Sequence, residues 1–222
     1  MKIFSLVLFL FSNAFAEEAR LLKITGPDVI ITRGKEKLKA VEGFAFEEGD
    51  TVQTVNATIL IHLFPSTQVA VDKNTTIKID KNVIESTKKL EKSFSIVGLE
   101  QGRVRLKILK DNDQEIDQKL VTDRVAFSAR AADFEVSATL AEVALDVHEG
   151  LVEASSPFVH SFVPEMTKAN EALVFSTKTK SFSRRKFASQ VTAPHFVGKA
   201  DLMKNWKASK KARAKKSVKK KK

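Results

Sequence analysis

The stretch RVRLKI at 103–108 alternates charge with hydrocarbon without a break. A strand sends successive side chains to opposite faces, so this run buries Val104, Leu106 and Ile108 and leaves Arg103, Arg105 and Lys107 in water. Wound as a helix, the same residues would set Leu106 on the side opposite Val104 and Ile108, leaving no single apolar face. Period two recurs at Ile59, Ile61 and Leu63, at Val69 and Val71, and at Ile77 and Ile79. It returns at Phe134 and Val136, then at Val143, Leu145 and Val147. These runs are rich in Val, Ile, Thr and Phe, and turn formers separate them: Pro65 and Ser66, Asp72 to Asn74, Asp80 to Asn82, and Asp111 to Asp113. Helical signals are scarce before residue 165, and 164–170 reads as a turn or two of helix or a loop. The pattern predicts one all-β domain of many short strands over 20–182, arranged as a β-roll, a sandwich or a short solenoid-like stack. Residues 183–198 then read as a linker.

The two ends differ from this middle. Residues 1–16, MKIFSLVLFLFSNAFA, combine a positive Lys2, a short apolar run at 3–11 and a small-x-small step at Ala14 and Ala16, with Glu17 just beyond. This is the form of a cleavable secretory signal, and its apolar run is about half the roughly twenty residues a spanning helix needs. The chain is therefore expected to be exported, to a bacterial periplasm or cell envelope. It holds no cysteine, which removes disulfides, thiolate metal sites and a cysteine nucleophile together.

At the other end, residues 199–222 carry 12 basic residues and one acid, a net +11 that equals the formal charge of the whole chain. The rest is balanced, so the basicity belongs to a tail and not to a domain. The segment should be extended or transiently helical. Its contact residues are Trp206, Lys210, Lys211, Arg213, Lys215, Lys216, Lys219, Lys220, Lys221 and Lys222. Lysines near an anionic surface contribute about 1 kcal/mol each and act within a Debye length. In an envelope such surfaces are lipid head groups, lipopolysaccharide and acidic cell-wall polymer. The composition alone would equally suit nucleic acid, which export makes an unexpected partner.

Glycines recur ahead of strands at Gly49, Gly102 and Gly150, where a residue without a side chain permits a sharp turn. The motifs are FEEGDTVQT at 46–54, with Gly49 and Asp50, and LEQGRVR at 99–105, with Gly102. They continue with RAADFEV at 130–136 and VHEGLV at 147–152, with Gly150. Together with the strand–turn–strand of 57–80, their order resembles the FecR-like domain, a periplasmic module of iron-dicitrate sensor regulators. The likeness runs over about residues 20–182. It departs from the family at Ala131 and Ala132, where an Arg-Gly-Thr step is usual, and at 65–67, where Asp-Gly-Ser is usual. The resemblance implies an all-β binding or scaffolding module. Sensor regulators carry a cytoplasmic helical portion and a transmembrane helix ahead of it; this sequence shows neither, so direct signalling to a sigma factor is not expected.

Chemistry leaves few marks. His62, His148, His160 and His195 form no ligand pair, and His62 and His148 fall on the polar phase of their strands, which predicts solvent-facing rings. Oxygen side chains alternate at Asp111, Asp113, Glu115 and Asp117, yet Ile116 and Thr122 stand where a calcium loop needs glycine and glutamate. That stretch reads as an acidic, solvated hairpin loop. No nucleophile elbow, P-loop or dinucleotide fingerprint occurs, and no catalytic, cofactor or metal site is assigned. The expectation is a non-enzymatic envelope protein whose partner is a protein, an anionic surface or both. The alternatives are a cell-wall or polysaccharide-acting enzyme whose acids assemble only in the fold, and a purely structural component.

Overall fold

The computed structural model describes residues 19–63, 66–86, 91–110, 114–159, 163–187 and 196–198. The cleavage residues Ala14, Ala16 and Glu17, the loop positions Pro65 and Asp111 to Asp113, His160, His195 and the whole tail with Trp206 lie outside them.

Every helix or strand among the described residues is a strand, sixteen in all. They form two layers. The first runs β4 (Ala45–Phe46), β1 (Ala19–Thr25), β6 (Thr58–Leu63), β7 (Thr67–Val71), then the second half of β9 (Glu91–Ile108). It continues through β12 (Ala132–Ala138), the first half of β13 (Glu142–Ser155), β15 (Ala172–Ser176) and β16 (Ser181–Arg185), antiparallel throughout. The second layer runs β3 (Glu36–Lys39), β2 (Val29–Arg33), β5 (Thr51–Thr54), β8 (Thr75–Ser86) and the first half of β9. Then come β10 (Gln114–Val121), β11 (Ala126–Ala129), the second half of β13 and β14 (Glu165–Lys168). The chain crosses repeatedly from one layer to the other, which is the all-β domain of short strands that the alternation predicts.

The inward phase of both layers meets in one cluster. Ile59, Val69, Val104, Leu106, Phe134 and Leu145 face Ile31, Val52, Ile77, Val97, Leu120 and Phe127 across the interior. Burying a Val, Leu, Ile or Phe side chain of this kind stabilises the fold by about 1.5–3 kcal/mol relative to leaving it in water.

Gly102 and Gly150 sit inside β9 and β13 rather than ahead of strands, at the points where each strand leaves one layer for the other. Residues of β9 up to Gln101 pair with β8, whereas those from Gly102 onward pair with β12. In β13, residues up to Gly150 pair with β12 and those from Leu151 onward with β14. Both glycines have positive φ, 97° and 85°. A Cβ at Gly102 would lie 2.4 Å from Thr75 Oγ1, and one at Gly150 would lie 2.4 Å from the Ala131 carbonyl oxygen. Only glycine supplies both the backbone angle and the space. Gly49 does precede a strand, β5, with φ 92°.

Four other expectations need correction. Asp80 to Asn82 is not a turn but lies within β8, where a bulge between Ile79 and Lys81 absorbs the extra residue and Asp80 pairs with Lys78 at 2.7 Å. The Glu115 to Asp117 stretch is not a hairpin loop: β10 pairs parallel to β9, from Gln114 opposite Glu91 to Val121 opposite Gly98. Parallel neighbours need a crossover, which here comes from the far layer. Residues 165–168 form β14, and the turn that follows places Asn170 at φ 64°. Pairing with β13 overrides the weak local preference there. Finally, His62 is fully buried and the His148 side chain is 14% exposed, so neither ring faces solvent.

Candidate functional site

The alternation that buries Val104 and Leu106 throws Arg103, Arg105 and Lys107 onto the outer face of the first layer. Register sets what they meet there. Ser137 lies opposite Arg103, Glu135 opposite Arg105 and Asp133 opposite Lys107; Asp146 of β13 lies opposite Glu135. Opposite charges on adjacent strands are within reach of one another. Arg105 grips Asp133 with two bonds, Nε to Oδ1 at 2.6 Å and Nη2 to Oδ2 at 2.9 Å, and Lys107 Nζ stands 3.6 Å from the same carboxylate. Arg103 Nε lies 3.2 Å from Glu135 Oε1, and Arg185 of the edge strand β16 bonds Asp146. Asp133, Glu135 and Asp146 are all buried although they point outward.

Burial sets the protonation of this face. It pushes the Glu135 carboxyl up to about 7, with the Asp146 charge adding to the rise and Arg103 and Arg105 opposing it. Burial also holds His148 below the ordinary histidine range, helped by Arg105 and opposed by Asp133 and Asp146. His148 Nε2 is 4.0 Å from Glu135 Oε2, too far for a hydrogen bond, and has no hydrogen-bond partner among the described residues. Phe187 stands edge-on to the His148 ring with centroids 5.1 Å apart. Beside these groups is an open hollow of about 660 Å³, bounded by Asp72, Arg103, Glu135, Glu142, Asp146 and Arg185. Near neutral pH, then, Glu135 gains or loses a proton readily.

The C-terminal segment comes back onto the same face. Gln68, fully buried on β7, donates from Nε2 to the Val197 carbonyl and accepts the Val197 N–H at Oε1, both at 2.8 Å. The Phe196 ring lies 5.4 Å from the Arg105 guanidinium and 5.7 Å from the Lys107 ammonium, in cation–π range. The strand β16 extends beyond residue 182, and Val197 lies within the stretch read as a linker.

Of the expected motif residues, the structure brings one to this face: Gly102 lines the hollow. Asp50 is fully buried elsewhere. It receives a fork from Arg33 at 2.8 Å on both oxygens and the Glu47 N–H at 2.9 Å, so it locks the entry into β5. Gly49 belongs to that same turn, and Gly150 to the layer change beside Ala132. Sequence reasoning missed Gln68, Glu135, Asp146 and Arg185. The outward phase of their strands was the available signal. Among the described residues no group of three His, Asp or Glu side chains is placed to hold a metal ion.

No family model matches the chain, and no curated protein sequence does. Among solved structures, the chain is similar to a candidate anti-sigma factor from Parabacteroides distasonis ATCC 8503, solved at 1.65 Å and at 2.50 Å. Each comparison gives a TM-score of 0.50 and 17% identity over 63% of this chain and 61% of that one. The chain thus spans about three fifths of that protein's length. At this identity the likeness concerns the fold alone.

Proposed function

We propose that this chain is a non-enzymatic, exported envelope protein: a FecR-like β module that binds a protein partner or an anionic envelope surface, with the Lys-rich tail steering it there. The observation that carries this reading is the outer face of the first layer. Asp133, Glu135 and Asp146 are each matched to an arginine there, and the C-terminal segment is docked on the face through Gln68. Such a face presents a fixed, mixed-charge surface suited to recognition. Nucleic acid is not among the partners proposed.

The test is sedimentation with purified cell envelopes at low salt. The full chain is expected to sediment, deletion of 199–222 to abolish this, and added salt to weaken it as the charges are screened. Equal sedimentation with and without the tail would sink the steering role.

One observation favours a second reading, a polysaccharide-acting enzyme: Glu135, with its carboxyl raised to about 7, stands across the strand pair from Asp146 at an open hollow. Release of soluble fragments from purified cell wall, lost on Glu135→Gln, would promote it over the first.

A further inference from the structure

The contact between Gln68 and Val197 joins residues 129 positions apart, and it reads backbone rather than side chain. One carboxamide takes both the N–H and the C=O of a single residue, which fixes the direction and the register of the segment it holds. Gln68 is itself immobile, being fully buried and paired within β7 between β6 and β9. Phe196 adds a second hold by lying over Arg105 and Lys107. Only Gly198 separates this clamp from Lys199, the first of the 12 basic residues.

The position of the clamp decides where the charge begins. A tail of 24 residues can span up to about 80 Å when extended, so its far end could reach any side of the domain. Its root cannot. Clamped, it starts one residue beyond Gly198, next to Phe196 on the face where Arg105 and Lys107 pair with Asp133.

We infer that Gln68 is an orienting clamp: on an anionic phospholipid bilayer, it turns the outer face of the first layer toward the head groups. This rests on the tail reading proposed above and adds a direction to it. The attraction between lysines and head groups falls off within a Debye length, so a bound tail lies close to the surface and holds its root there as well. The second layer, on the opposite side of the core, then faces away.

The chain has no cysteine, so single cysteines can report each face without background. Ser137 lies on the outer phase of β12 in the first layer and Ser128 on that of β11 in the second, both half-buried. Ser137→Cys and Ser128→Cys, each carrying a polarity-sensitive fluorophore, are mixed at low salt with vesicles of zwitterionic lipid alone or doped with anionic phospholipid. The label at 137 is expected to shift its emission on the anionic vesicles, and the label at 128 is not. Gln68→Ala should retain vesicle binding and abolish the difference between the labels. Val197→Pro, which removes the clamped N–H and leaves the core untouched, should do the same. Equal responses in the chain with Gln68 intact overturn the clamp, as does a 137-selective response that survives both substitutions. If deletion of 199–222 leaves vesicle binding unchanged, the tail reading itself has failed. If the full chain binds no vesicles, both fail together.

Discussion

Glu135 shows how a single buried side chain can tie this fold to pH. Its carboxyl rises from about 4.5 to about 7 because burial disfavours the charge more than Arg103 restores it. A folded value above the unfolded one means that the folded chain holds the proton more tightly. The stability this supplies is complete below pH 4.5 and disappears as pH climbs through about 7. Glu135→Gln removes that slope. Thermal melts should show the variant gaining on the parent between pH 4.5 and 7, by on the order of 1–2 kcal/mol once solvent screening is allowed for, and then running level. A difference that does not change with pH would refute the assignment. His148 works in the opposite sense: its depressed value favours folding above its ordinary 6.5, and this is lost in acid. Neither effect was legible in the sequence. The outward phase of Glu135 and His148 is plain in the alternation, but what covers an outward residue is set by neighbouring strands and by Phe187, nearly forty residues further along.

At the scale of elements, the layer changes in β9 and β13 are the most sensitive places. Gly102→Ala and Gly150→Ala each force a side chain into positive φ and against backbone or Thr75, costing about 2–4 kcal/mol by strain and overpacking combined. Gly49→Ala meets nothing within 4 Å and carries only the φ cost, about 1 kcal/mol. Denaturant unfolding of the three variants should separate the first two from the third. The glycine positions were readable from sequence, and so were the strands whose inward residues are all hydrocarbon. What hid the others was polarity on the inward phase. In β10 the inward residues are Ile116, Gln118 and Leu120, and buried Gln118 breaks the apolar run, so the strand reads as loop. β14 turns only buried Thr167 inward, and a single threonine carries no period. In β8 the bulge after Ile79 shifts the alternation by one residue at the polar Asp80, which imitates a turn.

For the whole molecule, the division between a neutral domain and a basic tail was legible from charge alone. The pairing of β9 with β10 and the return of Val197 to Gln68 were not, because both join segments whose partners lie far away or in another layer. Asp50 tests the global fold from the second layer. Asp50→Ala takes the fork from Arg33, which keeps Glu47 and the Ala45 carbonyl, and leaves the Glu47 N–H without its acceptor; it should cost about 1–3 kcal/mol, and calorimetry checks it. Because β9 and β13 each belong to both sheets, neither sheet can open while the other stays closed. Amides of the two layers should therefore exchange with the same free energy, in one cooperative unit. That arrangement governs the lifetime of the protein as well as its shape. A protease that cuts only opened chain finds no half-open form of the strand core to attack, so turnover of this domain waits on complete unfolding.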